Sequence, residues 1–538
     1  MRDGVKLYAD IYRPAPEGKY PVLVVRTPYG VQRENSGVHD KLPLFAANGY
    51  AVVNQDVRGR YESEGQWDPF RNEAQDGYDT IEWAAKQPWS NGKVCTEGGS
   101  YLGHVQWAAA SLTPPHLVCA FPAVASTNIY ANWITHGGAF RLSFNYGWGV
   151  VRMPNRIMLP QWWHTGKDAP PELVYEKILK HLPLNTGDLR SANYAVKHYR
   201  DWIAHPGYDE YWKAISDEER FEKVKVPVHT SGGWFDIFLA GTINGYTGMR
   251  ARGGTPEARS QTRMVIGPWG HGQSQKFGDL DFGPEADHRL TDYELRFFDH
   301  HAKGLKNGLE SDLPVKIFYM GAANKWKFEK DWPIPGTQYT PWYLHEGGRL
   351  SPEAPGQTNS TTNYRYDPED PVPTLGGNNC CGTPTEAGPK DQQPLQWRAD
   401  IVRFIGERLA EPIAIAGPVK MQLHAATDGP STDWMVKLID VFPDGRAYPM
   451  AEGILRANNL KPNETREFTI DLVGTALVFD RGHTIRVDIM SSNFPQFDRN
   501  PNTGEPFGSS AKVRVAKQTI HHSKAKASHI VLPVVPLP

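Results

Sequence analysis

The sequence predicts an α/β domain interrupted by a helical insertion and followed by a C-terminal β-sandwich. Three observations carry this reading. Residues 1–125 alternate short apolar runs with stretches of helical spacing, and residues 226–310 resume that alternation. Residues 126–225 between them are rich in Trp, Tyr, His and Pro. From residue 311 to 538 helix periodicity gives way to short strand-like runs set between turn residues.

In chain order, Lys6–Tyr12 alternates apolar and polar residues, as an antiparallel edge strand does. Val22–Arg26 and Tyr50–Gln55 are apolar runs of the kind buried on both faces of a parallel sheet. Asp76–Lys86 places Tyr78, Ile81, Ala84 and Ala85 near one helical face. Val94–Glu97 reads as a strand, followed by a glycine-rich turn and a helix over Gly103–Ala110. The insertion contains a helical stretch at Pro171–His181. Strands resume at Val226–Ser231 and Arg263–Gly267, and Leu290–His301 carries helical spacing that ends at Lys303-Gly304. Lys316–Tyr319, Val419–His424, Trp434–Val441, Thr484–Ile489 and Ile530–Leu532 read as strands of a jelly-roll sandwich. The polar stretch Ser351–Pro394 is too long to stand alone as a loop. It is expected to run as an extended connection over neighbouring domains.

Composition excludes several classes. With 538 residues the chain exceeds one hydrophobic core. A net charge of -2 offers no field for nucleic acid or an anionic membrane, and no run reaches the roughly 18 apolar residues a span needs. The first residues, MRDGVKLYADIYRP, are strand-like and contain no signal-peptide core, which fits a cytoplasmic protein or a secreted one whose signal was removed. The four cysteines, Cys95, Cys119, Cys380 and Cys381, are too few for a disulfide scaffold. The adjacent Cys380 and Cys381 are open to two readings, a vicinal disulfide or two free thiols. No metal is expected: there is no H-E-x-x-H, and the pairs His300-His301 and His521-His522 are neighbours that do not share a face.

The chemistry centres on Gly98-Gly99-Ser100-Tyr101-Leu102-Gly103. A serine on a tight strand-to-helix turn exposes its hydroxyl for nucleophilic attack, and small neighbours let backbone approach backbone. The second glycine falls one place late, at Gly103, so the strict G-x-S-x-G is not met. An acid, Asp236, follows the strand Val226–Ser231, and a glycine-flanked His271 follows the strand Arg263–Gly267. Each has a plain alternative taken alone: a turn without chemistry, a helix N-cap, a loop histidine. Together they give the order Ser, Asp, His of an α/β-hydrolase triad, each just past a strand end. Ser100 is then the nucleophile, His271 the general base, and Asp236 the group that fixes the imidazole tautomer. The backbone N–H of Tyr101 supplies one oxyanion donor.

These segments resemble the cocaine esterase / X-Pro dipeptidyl-peptidase (CocE/NonD) family of serine hydrolases over nearly the whole chain. Thr27-Pro28-Tyr29-Gly30 is similar to that family's oxyanion-tyrosine motif, which implies the Tyr29 hydroxyl as second donor. Gln55-Asp56-Val57-Arg58-Gly59, the GGSYLG elbow, the loops ending at Asp236 and His271, and Asp444–Arg456 match it as well. The resemblance implies three parts: a hydrolase domain over 1–125 and 226–310, a helical cap over 126–225, and a jelly roll over 311–538. It also implies no cofactor and no metal. Trp133, Phe140, Trp234, Phe235 and Trp269 are candidate pocket residues.

The expected activity is cleavage of a small-molecule carboxylic ester or acyl amide through an acyl-enzyme, with neither nucleic acid nor membrane as partner; a homo-oligomer is compatible with the sequence. Alternatives are an X-Pro dipeptidyl-peptidase or a β-lactam acylase acting on a glutaryl-type amide. A carbohydrate-binding or assembly protein without catalysis is the alternative of another class. Ile237 and Phe238 after Asp236 are apolar, which disfavours substrates that need an ammonium clamp. Arg58 and Arg60 either hold an anionic acyl group or, as the stronger reading, pair with Asp56, Glu62 or Glu64.

Overall fold

A computed structural model describes the chain except residues 32–40, 156–174, 193, 288–289 and 382–384. Its first sheet runs in the spatial order Ala9–Tyr12, Ala51–Asp56, Tyr20–Thr27, Ser90–Gly99, Leu117–Ala123, His229–Gly233, Arg263–Gly267, Val315–Gly321 and Lys325–Glu329. The seven central strands are parallel, and the outer strand on each side is antiparallel to its neighbour. The parallel strands are sealed on both faces, which their unbroken apolar runs dictate. Alternate side chains go to opposite faces. Leu23, Val25 and Val52 join one buried cluster, while Val22, Val24 and Val53 join another. On the second face the helix Glu73–Ala85 contributes Ile81, Ala84 and Ala85. On the first, the helix Leu290–Lys303 contributes Leu290, Phe297 and Phe298.

Between Leu117–Ala123 and His229–Gly233 the described part of the insertion is mostly short helical turns, including Ile129–Ile134, Tyr146–Arg152 and Lys197–Ala204, with one small hairpin of Thr135–His136 and Ala139–Phe140. The expected helix Pro171–His181 lies partly outside the described residues; within them, Tyr175–Leu179 is helical.

Two antiparallel sheets make up most of the C-terminal part. One orders Val402–Arg408, Thr484–Met490, Thr432–Val441 and Ala447–Ala457. The other is built around Lys420–Thr427 and His529–Val534. Phe404, Val436, Leu438 and Val487 from the first sheet share one buried cluster with Met421, Leu423, Ile530 and Leu532 from the second. A boundary at 311 cuts off two strands of the hydrolase sheet. Val315–Gly321 lies parallel to Arg263–Gly267, and its tip, Met320 and Gly321, pairs with Leu477 and Val478 of the sandwich. The run Lys316–Tyr319 has the strand period but nothing local that names its partner sheet.

The long polar connection lies over the hydrolase domain: Asn379 bridges Asp236, and Asn378 Nδ2 donates to the carbonyls of Trp234 and Asp236. Cys95 and Cys119 are register partners on adjacent buried strands and form a disulfide; Cys380 and Cys381 are also bonded to each other. No helix among the described residues is long and apolar enough to cross a membrane.

Candidate active site

The strand Ser90–Gly99 ends directly on Ser100, which has φ 63° and ψ -125°, and the helix Tyr101–Ala110 begins at the next residue. A non-glycine residue at positive φ costs on the order of 1–3 kcal/mol and persists only where its surroundings hold it. Here the Ser100 N–H donates to Ala123 O at 2.9 Å, and its carbonyl accepts from the N–H groups of Gly103 and His104. Both glycines of the elbow are required by contact. A Cβ on Gly98, at φ 135°, would stand 2.5 Å from Leu102 Cβ. One on Gly103 would stand 2.5 Å from Ala125 Cβ and 3.0 Å from Ala123 O. The displaced glycine thus sits where the helix crosses the neighbouring strand end. Tyr101 anchors the turn: its ring is buried, its hydroxyl donates to Glu73 at 2.8 Å and accepts from the Phe70 N–H. As first residue of its helix, its own N–H has no acceptor within that helix.

Two loops bring Asp236 and His271 together. The Trp234 N–H donates to Gly267 O and the Phe235 N–H to Trp269 O, each at 2.9 Å. At Gly233 a Cβ would lie 2.1 Å from Trp269 O, so only glycine permits this approach. Asp236 follows, fully buried, and its Oδ1 is 2.8 Å from His271 Nδ1. It is no helix cap: the next helix begins at Leu239, with Phe238 at the cap position.

Behind Asp236, the buried Arg141 and Glu452 line a small void with it. Burial lowers the Arg141 guanidinium to about 10, and the charges of Glu452 and Asp236 oppose that shift.

Ser100, His271 and Tyr29 line one cavity of about 520 Å³, with Trp269, Lys41 and Glu97 on its wall. The Tyr29 hydroxyl accepts from Trp148 Nε1 at 3.3 Å. Behind His271 the Phe238 ring stands edge-on at 5.4 Å and stacks on Trp133 at 4.5 Å. Lys41 Nζ lies 2.7 Å from Glu294 and 3.6 Å from Glu97. Burial raises the Glu97 carboxyl above its ordinary range, against the opposing charge of Lys41.

The chain matches the model of the X-Pro dipeptidyl-peptidase (S15 family) over residues 3–273, and that of the X-Pro dipeptidyl-peptidase C-terminal non-catalytic domain over residues 307–531. It belongs to the X-Pro dipeptidyl-peptidase S15 family and is a serine hydrolase. Cocaine esterase of Rhodococcus sp. (strain MB1 Bresler) is 34% identical, covering 99% of this chain and 97% of that protein. Among solved structures, an aminopeptidase from a marine sediment archaeon (Thaumarchaeota archaeon) is similar with a TM-score of 0.88 and 28% identity, covering 100% of this chain and 95% of that one. An α-amino acid ester hydrolase is similar with a TM-score of 0.85 and 29% identity, covering 99% and 95%.

Within this S15 chain the sequence candidates divide. Ser100, His271, Tyr29 and Trp269 share the cavity, with Asp236 bonded behind the histidine and Trp133 in the ring cluster beside it. Three candidate pocket aromatics face elsewhere. Phe140 packs on Tyr199 and Phe507. Trp234 packs on Trp332 and donates to Phe318 O. Phe235 packs on Phe277 and Phe282. The backbone pairing that delivers Asp236 leaves these last two rings off the cavity wall. Arg58 is held by Asp76 and Asp3, not by Asp56, Glu62 or Glu64, and Arg60 donates to the carbonyls of Pro28 and Met153. Trp148, Arg141, Lys41 and Glu97 escaped sequence reading, and Phe238 was read there only as an apolar residue after Asp236. Of the four, only Glu97, three residues before Ser100 on a predicted strand, had a positional signal.

Proposed function

We propose that this S15 hydrolase cleaves small uncharged carboxylic esters through an acyl-enzyme on Ser100. One observation carries the reading: Ser100, on a positive-φ turn between strand and helix, faces the same cavity as a histidine whose far nitrogen is tied to a buried aspartate. His271 takes the hydroxyl proton as Ser100 Oγ attacks the carbonyl. The Tyr101 N–H and Tyr29 hydroxyl receive the developing oxyanion. His271 then protonates the departing alcohol, and the same residues reverse roles as water releases the acid. The likeness to cocaine esterase over nearly the full length supports an ester, and Leu102, Trp269 and Leu290 on the cavity wall support an apolar or aromatic acyl group. The test is Ser100→Ala, expected to abolish both p-nitrophenyl ester turnover and fluorophosphonate labelling. Turnover retained by this variant overturns the reading.

A second reading rests on Glu97, Lys41 and Glu294, two carboxylates around one ammonium beside the cavity. It supports a substrate with its own ammonium group, in line with the likeness to the archaeal aminopeptidase. Faster turnover of an amino-acid p-nitroanilide or ester than of the desamino ester decides for it.

A further inference from the structure

We propose that Cys380 and Cys381, once reduced, form with His271 a site for a thiophilic divalent cation, and that filling it switches hydrolysis off. The inhibitory half rests on the proposed role of His271 as base; the binding half does not.

In the structure the two cysteines are bonded to each other and share with His271 an open cavity of about 400 Å³. The nearest potential ligand atoms of the three residues lie within 4.8 Å of one another. Zinc with Zn–S of about 2.3 Å and Zn–N of about 2.0 Å sets tetrahedral ligand atoms roughly 3.5–3.8 Å apart. Completing the set therefore takes two movements: the imidazole closes by about 1 Å, and the two sulfurs, once reduced, part to about 3.8 Å. Two thiolates and an imidazole suit zinc and its softer relatives, and three protein ligands leave the fourth position to water.

The cysteine segment is not free to wander from the histidine. Asn378, two residues before Cys380, holds the carbonyls of Trp234 and Asp236, and the Asn378 N–H is held by Glu452 at 2.9 Å. Gly377 and Gly388 exchange backbone hydrogen bonds at 2.8 and 3.0 Å, closing the loop that carries the pair. Lys276, Lys390 and Glu386 line the same cavity wall, with Lys390 paired to Glu386.

The chemistry balances with a phosphine as reductant. Phosphine and water convert the disulfide to two thiols and a phosphine oxide; the cation then displaces two protons and binds both thiolates. Coordination through either imidazole nitrogen removes the base. Nε2 is the one that must accept the serine proton, and Nδ1 is the one that Asp236 holds.

The experiment reduces the full-length protein with tris(carboxyethyl)phosphine, removes the reductant anaerobically, and titrates with Zn²⁺ while following p-nitrophenyl acetate hydrolysis. A parallel titration uses Co²⁺ and reads thiolate-to-cobalt charge-transfer absorption. About one equivalent of zinc is expected to silence the reduced enzyme, with EDTA restoring turnover. The oxidised enzyme and the Cys380→Ser/Cys381→Ser variant are expected to keep basal turnover and to need roughly tenfold more zinc or beyond. Equal zinc sensitivity in reduced wild type and the double variant overturns the proposal. So does reduced wild type without a cobalt–thiolate band, a reading that stands even if the variant fails to fold. If Ser100→Ala abolishes turnover while a zinc-filled site leaves turnover intact, the switch falls and the proposed function survives.

Discussion

Asp236 Oδ1 and His271 Nδ1 stand 2.8 Å apart across a steep gradient of exposure: the aspartate side chain is sealed at 0%, while the imidazole keeps 17%. The aspartate is locked and the imidazole faces the cavity. A carboxylate there can only accept, so Nδ1 carries the proton and Nε2 is left as acceptor. Asp236→Asn keeps the shape but lets the amide donate to Nδ1, favouring the tautomer with its proton on Nε2. The expected result is a fall in kcat on the order of 10³–10⁴-fold with the melting temperature little changed. Ester kinetics and a thermal melt check it. A loss below about tenfold means that His271 does not need Asp236 to act.

Gly103→Ala tests why the elbow's second glycine is displaced. The added methyl meets Ala125 Cβ at 2.5 Å and a backbone oxygen at 3.0 Å, and neither is the flexible end of a side chain. The strand end and helix must separate, at a cost of about 1–3 kcal/mol. Denaturant unfolding reads this directly. Because the same helix start carries Ser100, kcat is expected to fall with stability, and an unchanged midpoint sinks the packing account.

The elements near Ser100 were legible because each is specified locally. Val22–Arg26, Val94–Glu97 and Arg263–Gly267 are apolar runs with one fate, burial between two helical layers, while Gly98 marks a left-handed turn and Gly233 a close backbone approach. Asp236 and His271, which the structure brings within 2.8 Å of each other, could be singled out because chain order constrains a triad. What escaped depends on contacts between distant segments. Lys316–Tyr319 has the strand period, but its sheet is chosen by Met264, Val265 and Ile266 some fifty residues earlier. Trp148 and Phe238 reach Tyr29 and His271 through tertiary packing that no spacing encodes. The same blindness made Trp234 and Phe235, the immediate neighbours of Asp236, look like pocket residues.

Tyr29 and Trp148 form a donor chain into the site. The indole N–H is 3.3 Å from the phenol oxygen, which fixes that oxygen and leaves its own proton to point elsewhere. Tyr29→Phe removes the proposed oxyanion donor and is expected to lower kcat by on the order of 10²-fold with KM nearly unchanged. Trp148→Phe keeps the ring but not the N–H, so a smaller loss, roughly three- to tenfold, is expected. In the double variant the two losses should fail to add, because the Trp148 N–H reaches the site through Tyr29. Full additivity removes Trp148 from the oxyanion machinery.

Asp56 gives a pH dependence with a definite sign. Its carboxyl is 1% exposed, receives the Val31 N–H at 3.0 Å, and is pushed up by burial from 3.8 to about 7. Between those two values the folded protein holds a proton that the unfolded chain has released. Stability from this group is therefore full below about 3.8, is lost as pH rises toward 7, and is flat above it, a change of a few kcal/mol at most. Asp56→Asn retains an acceptor for Val31 and removes the titration. The variant's melting temperature is expected to gain on the wild type as the buffer moves from about pH 5 to about pH 8. A constant difference across that window shows that Asp56 stays ionised in the fold, held by Arg60 more strongly than burial opposes it.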